Sequence, residues 1–123
     1  MTTTGKFVWF EYVSGDAAKA KGFYGELFGW TTEEVPDAGG YRVIKNGEHE
    51  TGGMMPLDPR MGATPPKWLP YFGHEDLDRL LGEVAGFGGQ VLNGPMPMWE
   101  GAIAMLADPQ GAAFAVWTGH YDG

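Results

Sequence analysis

Few side chains in this sequence are equipped for chemistry. Cysteine is absent, which excludes disulfides, thiolate-ligated zinc and a thiol nucleophile. The three histidines are His49, His74 and His120. His49 stands between Glu48 and Glu50, but neighbours in a strand point to opposite faces, so it cannot easily share a metal with either. His74, beside Glu75 and Asp76, reads as a polar residue at a helix start. His120 falls in the C-terminal tail. The chain contains no HExxH, P-loop or GxSxG motif. The carboxylate that stands out is Glu11, set among aromatic residues in Trp9-Phe-Glu-Tyr12. A carboxylate in such company is costly unless it is paired, hydrogen-bonded or protonated. It would suit a cationic ligand or general-base work. A rim position, or a salt bridge with Arg42 or Lys67, accounts for it equally well.

The elements that must position these groups repeat. Shifting the sequence by 59 positions lays Trp9 on Trp68, Tyr12 on Tyr71, Asp16 on Glu75, Phe28 on Phe87, Gly29 on Gly88 and Pro36 on Pro95. Each copy reads as an aromatic strand, an acidic helix start, an amphipathic helix and Phe-Gly, the pattern of two half-modules with a site where they meet. Residues 7–13 form a strand. Ser14-Gly15-Asp16 starts a helix whose face is Ala20, Phe23, Tyr24 and Leu27, and Gly29 stops it. Strands follow over 30–35, 41–46 and 48–55, with an Asn46-Gly47 hairpin turn. In the second copy a strand over 68–72 precedes a helix with the stripe Leu77, Leu80, Leu81 and Val84, ended by Gly88-Gly89. Strands over 90–93, 102–107 and 112–117 complete it. Asp108-Pro-Gln-Gly111 has the residues of a type I turn. The expected organisation is a single domain over 1–123, with half-modules 7–55 and 68–117, a linker 56–67 carrying four prolines, and a tail 118–123. The expected fold class is α+β: two βαβββ half-modules forming a curved, mostly antiparallel sheet with helices outside.

Composition narrows the function. Apolar content of 43% and aromatic content of 14% fit a folded domain. A net charge of −8 without a basic stripe argues against nucleic-acid binding and favours cationic over anionic ligands. No apolar run approaches the ~20 residues of a membrane span, and Met1–Lys6 shows no secretory pattern. A cytoplasmic location is the expectation.

Phe23-Tyr24-Gly-Glu-Leu-Phe-Gly-Trp30 and Asp108-Pro-Gln-Gly-Ala-Ala-Phe114 resemble the helix end and last turn of the vicinal oxygen chelate superfamily, which holds glyoxalase I, bleomycin-resistance proteins and extradiol dioxygenases. Trp9-Phe-Glu-Tyr12 is similar to the strand opening of a subgroup labelled hydroxylases. The resemblance implies a divalent metal held by four His, Glu or Gln ligands, at positions that here fall on Trp9, Trp68, Ala115 and Gly53 to Met55. None of these is a hard ligand. The expectation is therefore a cleft with no metal and no cofactor, holding a small aromatic or cationic molecule. By the resemblance its walls are Trp9, Glu11, Trp68, Pro70, Phe72, Ala113, Ala115 and Trp117, with Glu11 the one catalytic candidate. Met54, Met55, Met96, Met98 and Met105 are either adaptable walls or plain core. A homodimer is implied by the family. Whether the chain is an enzyme stays open, and a metal-dependent lyase, isomerase or dioxygenase with an atypical site is the alternative.

Overall fold

The computed structural model describes residues 4–15, 17–56, 66–98 and 101–119. The elements are β1 (Phe7–Ser14), α1 (Ala17–Phe28), β2 (Thr31–Glu34), β3 (Arg42–Asn46), β4 (His49–Pro56), β5 (Lys67–Gly73), α2 (Leu77–Glu83), a 3-10 turn (Ala85–Phe87), β6 (Gln90–Met98), β7 (Gly101–Ala107) and β8 (Ala113–Thr118). The order βαβββ thus occurs twice, in an α+β fold with eight strands and two α-helices among the described residues. The chain forms two compact units. One spans Trp9–Trp68, and the other takes Leu69 onward together with the N-terminal residues up to Val8. Most of the proline-rich segment, Asp16 and His120 lie outside the described residues.

Both modules have the same strand order. The first runs β2-β3-β4-β1 and the second β6-β7-β8-β5. In each, the outer pairs are antiparallel and the module's first strand pairs parallel to its last. One helix covers one face of each. In the first module Ala20 packs with Ile44 and Met54, flanked by Tyr12, Tyr24 and Trp30. In the second, Leu77 packs with Ala104, Leu106 and Val116, flanked by Leu80, Leu81 and Val84.

Glycines close the helices as the sequence predicts. Gly29 (φ 74°) donates its N–H to Gly25 O at 2.9 Å, and Gly88 (φ 88°) ends the 3-10 turn. The Asp108 turn is also as expected. Gly111 N–H bonds Asp108 O at 2.9 Å, and the Asp108 carboxylate accepts from Gln110 and Ala112 N–H at 2.9 Å each.

Three expectations need correction. The hairpin loop is Gly47-Glu48 rather than Asn46-Gly47, with Gly47 alone carrying the positive φ of 65°. Strand β6 runs on to Met98 through Pro95 and Pro97. It tolerates both because it is last in its module's strand order and its register shifts twice, between Val91 and Asn93 and between Asn93 and Met96. Finally, only half of the α1 stripe is covered. Ala20 is buried and Tyr24 half-buried, but Phe23 and Leu27 are 60% and 58% exposed.

Candidate functional site

The side of the first module away from α1 carries its polar chemistry. Pairing sets Glu11 of β1 beside Gly53 of β4, Gly53 beside Val43 of β3, and Val43 beside Glu33 of β2. Alternation puts Trp9 and Val13 on the Glu11 side and Tyr12 on the α1 side. Tyr41, just before β3, reaches over Gly53. A Cβ at residue 53 would overlap its hydroxyl, so the glycine creates the passage. The Tyr41 hydroxyl donates to Glu11 Oε2 at 3.0 Å. Trp9 Nε1–H lies 3.0 Å from both Glu11 Oε2 and Tyr41 Oη.

Glu11 is therefore no rim residue: it is 2% exposed. Its recorded donors are an indole and a phenol, both neutral. Arg42, one proposed partner, instead donates from Nε to Thr32 Oγ1 at 2.9 Å. Burial pushes the Glu11 carboxyl up from 4.5 to about 7, against the opposing pull of the Tyr41 and Trp9 hydrogen bonds. Near pH 7 such a group exchanges a proton readily.

In the second module the matching row is Tyr71, Ala115, Met105 and Asn93. Ala115 is fully buried. Trp117 lies beside Gly73 and Ile103, and its Nε1 is buried with no hydrogen-bond partner.

Trp68 and Phe72 are not where alternation from the 59-residue repeat puts them. The Trp68 ring meets Tyr12 (5.0 Å), Tyr24 (5.5 Å) and Trp30 (6.2 Å), and its Nε1 donates to Tyr24 Oη at 3.1 Å. That is the α1 side, opposite Glu11. Phe72 stacks with Phe7 (4.5 Å) and with Phe114, which packs in the α2 core. The physical reason is a change of offset within the repeat. Strand and helix starts differ by 60 residues, Phe7 to Lys67 and Ala17 to Leu77, whereas the closing glycines Gly29 and Gly88 differ by 59. A shift of one residue moves every strand side chain to the other face. Leu69, not Trp68, is the counterpart of Trp9, and Tyr71 is the counterpart of Glu11.

The corrected register also bears on metal binding. Trp9, Leu69, Ala115 and Gly53 to Met55 offer no oxygen or imidazole donor. Glu11 is the one carboxylate in the buried row, and its Oε2 is already shared by two donors. Among the described residues no three His, Asp or Glu side chains come together as a ligand group. A site for a hard divalent ion needs several such donors, so the residues present do not fit it. His74 serves the backbone, its Nδ1 accepting from Asp76 N–H at 3.0 Å, while His49 is exposed at the start of β4.

A twice-repeated βαβββ module, with its first strand parallel to its last and a helix over one face, defines a glyoxalase-type α+β domain. Residues 6–116 match the Glyoxalase/Bleomycin resistance protein/Dioxygenase superfamily, and the chain belongs to that family. CFP32 of Mycobacterium tuberculosis, a proposed glyoxylase, is 38% identical over 116 residues, covering 92% of this chain and 44% of that protein. The anthracycline biosynthesis protein DnrV of Streptomyces peucetius is 37% identical over 124 residues, covering 89% and 45%. The chain thus spans under half the length of these relatives. Among solved structures, methylmalonyl-CoA epimerase of Mycobacterium tuberculosis superposes with a TM-score of 0.64 at 15% identity, covering 98% of this chain and 92% of that one. The Mn(II)-bound glyoxalase of Novosphingobium aromaticivorans superposes with a TM-score of 0.63 at 19% identity, covering 96% and 40%. Identities this low speak to fold alone. No helix among the described residues is long and apolar enough to cross a membrane.

Proposed function

We propose that this domain binds a small aromatic molecule on the first module's Trp9–Glu11–Tyr41 face, and that it does so without a divalent metal. The observation that carries this reading is the Glu11 carboxyl, 2% exposed and raised to about 7, whose recorded hydrogen bonds come from two aromatic side chains. Trp9 is the half-buried member of the trio and offers a ring face for stacking. Its N–H, held between Glu11 and Tyr41, fixes the indole plane. Glu11 supplies negative charge or takes up a proton according to pH, which suits a ligand bearing a phenol or an amine. The work of DnrV in anthracycline biosynthesis supports an aromatic ligand class, and the absence of hard donors at the family's ligand positions supports the metal-free reading.

The test is tryptophan fluorescence of the purified chain titrated with 1,4-dihydroxyanthraquinone, with and without EDTA. Saturable quenching is expected, unaffected by EDTA and abolished in Trp9→Phe. Affinity should change across pH 7 in the wild type and stay flat in Glu11→Gln. Binding that depends on added Mn(II), or an identical pH profile in Glu11→Gln, overturns the proposal.

A further inference from the structure

Helix α1 is more apolar than its own module can use. At 100° per residue, Phe23, Leu27, Ala20, Tyr24 and Phe28 form one continuous arc. Only Ala20 is buried and only Tyr24 half-buried, leaving Phe23 60%, Leu27 58% and Phe28 55% exposed, with Trp68 beside them 38% exposed. The surface is firmly built. Tyr24 contacts Phe23 (5.1 Å), Phe28 (6.4 Å), Trp30 (5.5 Å) and Trp68 (5.5 Å). The Trp68 N–H is satisfied internally by Tyr24 Oη. The patch therefore presents hydrocarbon, with the Trp68 ring already fixed in place, which lowers the ordering cost of association.

We propose that this aromatic face of α1 is a self-association surface, and that its occupant is the same face of a second copy of the chain. Area is the first argument. With about 150–250 Å² per aromatic side chain, the exposed fractions leave about 400 Å² of apolar surface, at the upper end of what a lone domain shows. Two copies packed about a two-fold axis remove about 800 Å² of it from water. Homodimer interfaces are about 65% apolar, so the full interface comes to about 1,200 Å², the lower bound for a stable pair. Charge is the second argument. Lys19 and Glu26 flank Phe23 four residues before it and three after, on one side of the helix. Antiparallel packing of two α1 helices about Phe23 sets Lys19 of one copy toward Glu26 of the other, the self-complementarity that a two-fold contact requires. Length is the third. The curated relatives hold, in one polypeptide, enough further chain for another domain of this size. A like-sized neighbour is thus the expected company of this fold, and a second copy is the one available to the 123-residue chain.

The experiment is light scattering coupled to size exclusion on the full chain from micromolar to sub-millimolar concentration. A mass twice 13.3 kDa is expected. The double variant Phe23→Asp/Leu27→Asp should return to the single-chain mass with an unchanged circular dichroism spectrum, because both side chains are largely exposed. The natural absence of cysteine allows a second test independent of those variants. Oxidation should cross-link Phe23→Cys into a covalent dimer and leave Lys21→Cys, on another side of α1, single. A wild type that stays at single-chain mass throughout overturns the proposal. So does a dimer that survives both aspartates, or cross-linking no faster at residue 23 than at residue 21.

Discussion

Replacing Glu11 by glutamine should stabilise the protein at alkaline pH while making little difference in acid. The carboxyl ordinarily titrates at 4.5, and burial in the folded chain raises it to about 7. The folded state therefore binds the Glu11 proton more tightly than the unfolded state. Between these two values the unfolded chain has released the proton and the folded chain has not, so stability falls as pH rises. Below about 4.5 both states are protonated and the penalty vanishes; above about 7 it is complete. At about 1.4 kcal/mol per tenfold change in proton affinity, the full penalty is about 3 kcal/mol. The amide keeps an oxygen for Trp9 and Tyr41 and carries no charge, so it retains most of the hydrogen bonding and none of the titration. Urea unfolding of both proteins at a series of pH values, followed by fluorescence, isolates Glu11 from the other carboxylates by difference. The expected result is a gap that opens through the interval from 4.5 to about 7 in favour of Glu11→Gln. A gap that is flat with pH, or that favours the wild type increasingly in alkali, refutes the reasoning.

Two further outcomes rest on the same geometry. Gly53→Ala drives a methyl into the Tyr41 hydroxyl, displacing the donor from a buried carboxyl; a loss of about 2–4 kcal/mol in denaturant unfolding is expected, with a steeper pH dependence than the wild type. Asp76→Ala removes the side-chain cap that accepts from Arg79 N–H at 3.1 Å; it should cost about 1 kcal/mol and lower the thermal midpoint by a few degrees without altering the pH profile of Glu11.

Much of this architecture could be read from residue types alone. Gly29, Gly88 and the Asp108 turn announce themselves because each does a backbone job that few other residues can do. Glu11 was conspicuous for the same kind of reason, as a charge placed among rings. Its partners were not. Tyr41 lies thirty positions away outside any strand, and what brings it to Glu11 is the empty space at Gly53. A pair of adjacent glycines inside a strand was the available signal, since such residues mark close approach of another group. The placement of Trp68 and Phe72 failed for a subtler reason. Aligning conspicuous letters such as Trp9 with Trp68 gives an offset valid at the helix ends and wrong by one on the strands, where one residue decides the face. The exposed flank of α1 was hidden too, because periodicity reveals how wide an apolar arc is and not how much of it a sheet covers.

The change of offset has a source in the helices themselves. The first module crosses from Ala17 to Phe28 wholly in α-helix, while the second goes from Leu77 to Phe87 and finishes in a 3-10 turn. The tighter coil rises about 2.0 Å per residue against 1.5 Å, so both stretches span about 18 Å although one is a residue shorter. Anyone splicing the two copies into a hybrid, or duplicating one to make a symmetric protein, must therefore choose the junction with care. A seam placed ahead of the helices has to count in sixties and one placed behind them in fifty-nines, or the graft will turn its oily side to water.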